Sequence, residues 1–225
     1  MEEIKIDKIV RSRRRTFSLE VNKNAELIVR APLRATNSEI HEIVNEKSQW
    51  IFKKKEDIKY KESQKKKREF INGEIFECLG KEYTLVIKDN FEYAFSFSGK
   101  EIIINAKYKN SVKIFLIHWY KRQAYNYISE RTEYFANAIG VIFHKVRITS
   151  AKSRWGSCSA NKNLNFSWRL ILAPKQIVDY VIVHELVHLI EMNHSKRFWD
   201  RVSRIMPNYK IYETWLKNNG HLLDL

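Results

Sequence analysis

Two histidines four residues apart, with a glutamate directly after the first, make up the segment His184-Glu185-Leu186-Val187-His188. On a helix, residues four apart lie one turn apart on the same face, so both imidazoles can converge on one metal ion. Neutral imidazole suits zinc, and two helical ligands fill half of a tetrahedral site. Glu185 sits beside such a metal, where its carboxylate can take a proton from a zinc-bound water. The competing explanation is a pair of buried histidines hydrogen-bonded to nearby backbone. It is the weaker one, because this pattern is rare by chance in a chain with 7 histidines and falls within an apolar helical stripe through Ile177, Val181, Leu186, Leu189 and Ile190.

A third ligand must come from beyond the helix. His194 lies ten residues after His184, the spacing of sites of the H-E-x-x-H-x-x-G-x-x-H type. Here Glu191 stands where that glycine would be, so the chain must reverse differently, with Met192-Asn193 the expected place because asparagine tolerates the left-handed conformation. Glu191 is the rival ligand, but a straight helix carries its carboxylate a further turn past the metal. His194 is favoured, and Glu191 is read as an acceptor that orients an imidazole. His41, His118, His144 and His221 have no ligand spacing. Cys158 is a nucleophile, an inhibitory thiolate or, most simply, a packing residue. Phe198 and Trp199 are expected to anchor the ligand loop to the core. For the oxyanion, Tyr209 and Arg169 are the candidates.

These residues need a framework. Pro174 opens the metal-bearing helix, expected to reach about Glu191. Before it, Lys145 to Ser150 reads as a strand, Lys152 to Asn163 as a polar loop, and Leu164 to Trp168 as a strand lining the cleft, to which an extended peptide could add. Shorter helices are expected over about Ser195 to Ile205 and Tyr209 to Asn218. A long helix from about Ser111 to Ile139 ends at Gly140. Further upstream, strands at Arg15–Val21 and Ala25–Arg30 flank the turn Asn22-Lys23-Asn24. Thr36-Asn37-Ser38-Glu39 then offers capping chemistry to a helix running on into the lysine-rich segment Lys53 to Arg68. From Glu69 to about Ala106 the pattern is β again. The division this suggests is a β-rich amino-terminal lobe with one helix over 1–106 and a catalytic core over 107–225, together one family-wide domain.

Composition narrows the class. The 225 residues are 44% hydrophobic, with 6 Trp, 11 Tyr and 12 Phe, enough to fill a core and to exclude bulk disorder. No run of about eighteen apolar residues offers a membrane span. The start, Met1-Glu2-Glu3-Ile4-Lys5-Ile6-Asp7, does not read as a signal peptide. Two cysteines, Cys78 and Cys158, are too few for a disulfide scaffold, and a reducing cytoplasm is expected. A net charge of +15 attracts phosphate backbones, so non-specific nucleic-acid binding is a candidate property, centred on Lys53 to Arg68 with Arg11, Arg13, Arg14 and Arg15. A merely solvated basic surface is the alternative.

Arg154-Trp155-Gly156-Ser157-Cys158, together with the H-E-L-V-H segment, Asn193-His194-Ser195 and Phe198-Trp199, resembles the YgjP-like metallopeptidase family. The basic stretch Arg11 to Phe17 and the Trp50-Ile51 helix extend the resemblance over most of the chain. It implies an α+β fold with a zincin-like metallopeptidase core, a mixed sheet plus the metal-bearing helix, and a β-rich amino-terminal lobe. His184, His188 and His194 would hold Zn2+, with Glu185 as catalytic acid/base cleaving a protein or peptide substrate. The family is itself similar to SprT-like and WLM-type proteases, some of which degrade proteins crosslinked to DNA. Two other functions fit the same residues: a metal-dependent amidohydrolase on a small substrate, and a nucleic-acid-binding module whose metal is structural. A structural site usually takes four protein ligands, and three histidines beside a glutamate argue against that.

Overall fold

The computed structural model describes residues 4–225; Met1, Glu2 and Glu3, the beginning of the stretch that does not read as a signal peptide, lie outside the described residues. The chain forms two compact units, Met1–Lys66 and Lys67–Leu225. The lysine-rich stretch that separates them offers no apolar stripe to bury, whereas the chain on either side does.

In the first unit, β1 (Lys8–Ser12), β2 (Ser18–Val21) and β3 (Leu27–Pro32) form a sheet in the order β1-β3-β2. β2 and β3 are the expected hairpin, its turn held by the Asn22 side chain, which accepts from the backbone of Asn24 and Glu26. β1 pairs with β3 in parallel, a strand that alternation alone did not reveal. Leu27, Val29 and Ala31 alternate onto one face of β3 and meet Ile40 and Val44 of α1 (Asn37–Glu46) and Ile51 of α2 (Ser48–Ser63). Thr36 and Glu39 form a reciprocal capping box at the start of α1, as their spacing suggests. The single helix expected here is two, divided at Lys47, so that each contributes its own short apolar face.

The second unit begins with β4 (Ile75–Cys78), β5 (Lys81–Lys88), β6 (Phe95–Ser98) and β7 (Glu101–Asn105), in the order β4-β5-β7-β6. Phe76, Leu85, Ile102 and Ile104 of this sheet share one core with Leu116, Tyr120, Ala124 and Ile128 of α3 (Val112–Ile139), so residues 75–105 pack with the carboxy-terminal part of the chain. Gly140 ends α3 with φ +76°, and a Cβ there would meet nothing within 4 Å; the position needs glycine for its backbone conformation alone. β8 (Lys145–Thr149), β9 (Gly156–Cys158) and β10 (Asn163–Ser167) form a second mixed sheet, β8 parallel and β9 antiparallel to β10. β9 lies inside the segment expected to be loop: three residues of glycine, serine and cysteine carry no β signal of their own.

α4 (Lys175–Val187) comes next, buried on nearly every side through Ile177, Val178, Val181, Ile182, Val183, Leu186 and Val187. Asp179 ties it to α3, accepting two hydrogen bonds from Arg131 (3.0 and 2.7 Å) and one from the Tyr127 hydroxyl (3.1 Å). α5 (Lys196–Ile205) and α6 (Tyr209–Asn219) complete the unit. The fold is α+β, and in the second unit the histidine-bearing helix shares one core with the two mixed sheets, as a zincin-like metallopeptidase core requires. One expectation fails. The Leu164 to Trp168 strand cannot take a peptide as a further strand, because β10 is the middle of its sheet and both its edges are already paired.

Candidate metal centre

α4 stops one turn earlier than its apolar pattern suggests. His188 caps it in a helical conformation, and the amides of Leu189 and Ile190 then bond three residues back, to Leu186 and Val187, tightening the last turn. The chain reverses from there without any left-handed residue between 188 and 195; among the described residues the positive-φ positions lie elsewhere. Met192-Asn193 is therefore not the special hinge that its sequence offered. The effect of the early stop is to return His194 over the helix end.

His184, His188 and His194 converge, one ring nitrogen of each within 4.8 Å of the others, and among the described residues they are the one such group of potential ligands. Glu191, Cys158 and Glu185 stand outside it. Nε2 of His194 faces Nε2 of His184 at 3.0 Å. Nitrogens on a tetrahedral zinc stand about 3.3 Å apart, so the spacing fits such an ion. Burial and the neighbouring imidazoles of His188 and His194 push His184 down to about 3, and burial lowers His188 as well. His184 thus remains neutral at neutral pH, leaving one ring-nitrogen lone pair for a cation. Its Nδ1 is buried without a hydrogen-bond partner. Nδ1 of His188 lies 3.1 Å from the Glu191 carbonyl. A carbonyl only accepts, so Nδ1 carries the proton and Nε2 the free lone pair.

Glu191 therefore orients an imidazole through its backbone oxygen, while its carboxylate pairs with Arg201 at 3.5 Å. Beneath the three histidines lies Phe198, fully buried, its ring centroid 4.9, 4.6 and 4.8 Å from those of His184, His188 and His194. Trp199 stacks on His194, and Tyr209 stacks in turn on Trp199. α5 and the start of α6 thus brace the exposed His194 ring.

Glu185 is buried beside the cluster, 6% exposed. Burial raises its carboxyl to about 7, against the lowering pull of the Arg154 charge and of the Cys158 backbone N–H that donates to it. Both partners belong to Arg154-Trp155-Gly156-Ser157-Cys158, whose positions the fold now explains. The backbone carbonyl of Trp155 accepts from Ser167, and Ser159 donates to Asn163; this alternation leaves the Cys158 amide on the unpaired edge of β9, free for Glu185. The Trp155 ring packs against Gly220, where a Cβ would come within 2.9 Å of it. The Ser157 hydroxyl accepts from Asn165 at 3.3 Å. Burial and then Glu185 raise the Cys158 thiol, which disfavours a thiolate.

Of the two oxyanion candidates, Arg169 is committed elsewhere. It is buried and donates to Asp224 (2.7 Å) and to the Ser150 carbonyl (3.0 Å) while lying over the Trp168 ring. Tyr209 lies in the aromatic stack behind His194. Sequence reasoning missed the β9 contacts to Glu185; the dense Trp-Gly-Ser-Cys run was their signal.

A family model described as YgjP-like, metallopeptidase domain, matches residues 15–219. No curated protein matches the chain. Among solved structures, the metallopeptidase zymogen of Pyrococcus abyssi abylysin is similar over 39% of this chain and 89% of that chain, at 22% identity and a TM-score of 0.37. A likeness that low carries no argument.

Proposed function

From the premise that the chain belongs to the YgjP-like metallopeptidase family, we propose that it is a zinc-dependent peptidase of the H-E-x-x-H type. His184, His188 and His194 hold the ion, and Glu185 is the general base and acid. The observation that carries this reading is the convergence of three imidazoles with a buried carboxylate next to the first of them. Zinc, when bound, supplies Lewis acidity toward the scissile carbonyl and acidifies a water it holds. The residues do the rest. The three rings fix the ion; Phe198, Trp199 and the Glu191 carbonyl fix the rings. Glu185, with its carboxyl raised to about 7 by burial, is matched to taking a proton near neutral pH and returning it to the leaving amine. A group of three protein ligands, with no fourth among the described residues, supports a catalytic over a structural ion. The catalytic machinery falls within residues 107–225.

The partner is a protein or peptide. Among the described residues, no helix is long and apolar enough to cross a membrane. Both cysteines are free, which suits the reducing cytoplasm we propose for it. The net charge of +15 supports weak, sequence-tolerant binding to nucleic acid as an added property. That binding should fall steeply with salt and weaken when Lys65, Lys66, Lys67 and Arg68 are neutralised; binding to labelled DNA that ignores both changes would leave the charge as a solvated surface.

The function itself is tested by metal exchange. About one zinc per chain is expected by elemental analysis. Chelation should abolish hydrolysis of unfolded casein, zinc should restore it, and His184→Ala or His188→Ala should lose the ion. Hydrolysis that persists in the metal-free protein would rule the mechanism out.

A further inference from the structure

A Cβ built on Gly156 would lie 2.6 Å from Cγ and Oε1 of Glu185 and 2.9 Å from its Cδ, distances that real Cβ atoms essentially never show. Its φ is not in the left-handed region, so the backbone conformation does not require glycine here. Space does. The neighbour that would have to give belongs to a residue only 6% exposed, set on the largely buried α4 and facing the Cys158 N–H. A carboxylate so enclosed cannot simply swing away, as a surface glutamate would.

We propose that Gly156 is a positioning residue for Glu185. Its missing side chain forms the seat in which the carboxylate lies, and the Cys158 amide, two residues on, fixes the carboxylate's direction within that seat. The unpaired edge of β9 thus serves as a template for the base, which explains why so short a strand, with so little β propensity, is placed next to α4. The inference rests on the role proposed for Glu185. It adds that any side chain at 156 displaces the base before it reaches the three histidines, since the three atoms nearest the added Cβ all belong to Glu185.

The test combines kinetics with a double-mutant cycle. Gly156→Ala should keep one zinc per chain and an unchanged KM while kcat falls about 10²-fold, the scale of an ångström's misplacement. Thermal unfolding of the chelated proteins supplies a readout independent of metal and turnover. Gly156→Ala should lower the Tm by several degrees when Glu185 is present, and by little in the Glu185→Ala background, where the atoms it strikes are gone. If Gly156→Ala alone does not fold, the Glu185→Ala/Gly156→Ala double variant should, with its zinc. Wild-type kcat in Gly156→Ala, or equal destabilisation in both backgrounds, would overturn the inference. Undiminished turnover in Glu185→Gln would overturn the role of Glu185 instead, and would leave the coupling in Tm standing.

Discussion

Between His188 and His194, only the chemistry of each side chain decides which serves as the third ligand. His194 presents a ring nitrogen to His184 at 3.0 Å; Glu191 turns its carboxylate to Arg201 and gives His188 only a carbonyl. His194→Ala should therefore lower zinc occupancy strongly, whereas Glu191→Ala keeps its backbone carbonyl and should retain the ion. Elemental analysis of the two purified variants distinguishes them, and the reverse ranking would make Glu191 the ligand. The histidine spacing was readable because a helix repeats every 3.6 residues whatever surrounds it. The partners of Glu185 were not. Gly156 and the Cys158 amide lie almost thirty residues upstream, and only the packing of β9 against α4 brings them to the carboxylate. Arg169 misled for the same reason. A buried arginine near the centre in sequence is in fact paired with Asp224 at the far end of the chain.

Elements with a strong local signal were legible: the capping box of α1, the hairpin of β2 and β3, the glycine stop of α3, and α4, α5 and α6 within a few residues. Those defined by a partner were not. β1 exists because β3 is there to pair with, and β9 because β10 is. The end of α4 was misjudged because Leu189 and Ile190 continue its apolar pattern after the helix has stopped. At this scale the proposed centre relies on α5, whose Phe198 and Trp199 pack against the His194 ring. Trp199→Ala removes the ring that stacks on His194 and on which Tyr209 stacks. Zinc affinity should fall about 10- to 100-fold, the scale of losing a partner that orients a ligand, with His184 and His188 still binding. Competition against a chelating dye measures this; unchanged affinity would mean that the loop holds His194 without its stack.

Each unit has its own core, one built on β3, α1 and α2, the other on two mixed sheets with α3 and α4. The β-rich stretch after the lysines resembles the first strands in pattern, and its membership of the second core comes from contacts with α3 that no local pattern encodes. All the groups assigned to chemistry fall in that second core, on α4, β9 and the loop into α5. The molecule thus concentrates its most completely buried helix where it must hold two imidazoles and a carboxylate in register. The most direct test separates the ion from the base. Glu185→Gln keeps the shape of that side chain and removes its capacity to accept a proton, so zinc content and peptide hydrolysis should be measured on the same preparation. The expected result is one zinc per chain with hydrolysis reduced at least ~10²-fold; full turnover with the zinc still bound would contradict the assignment of Glu185 as the base.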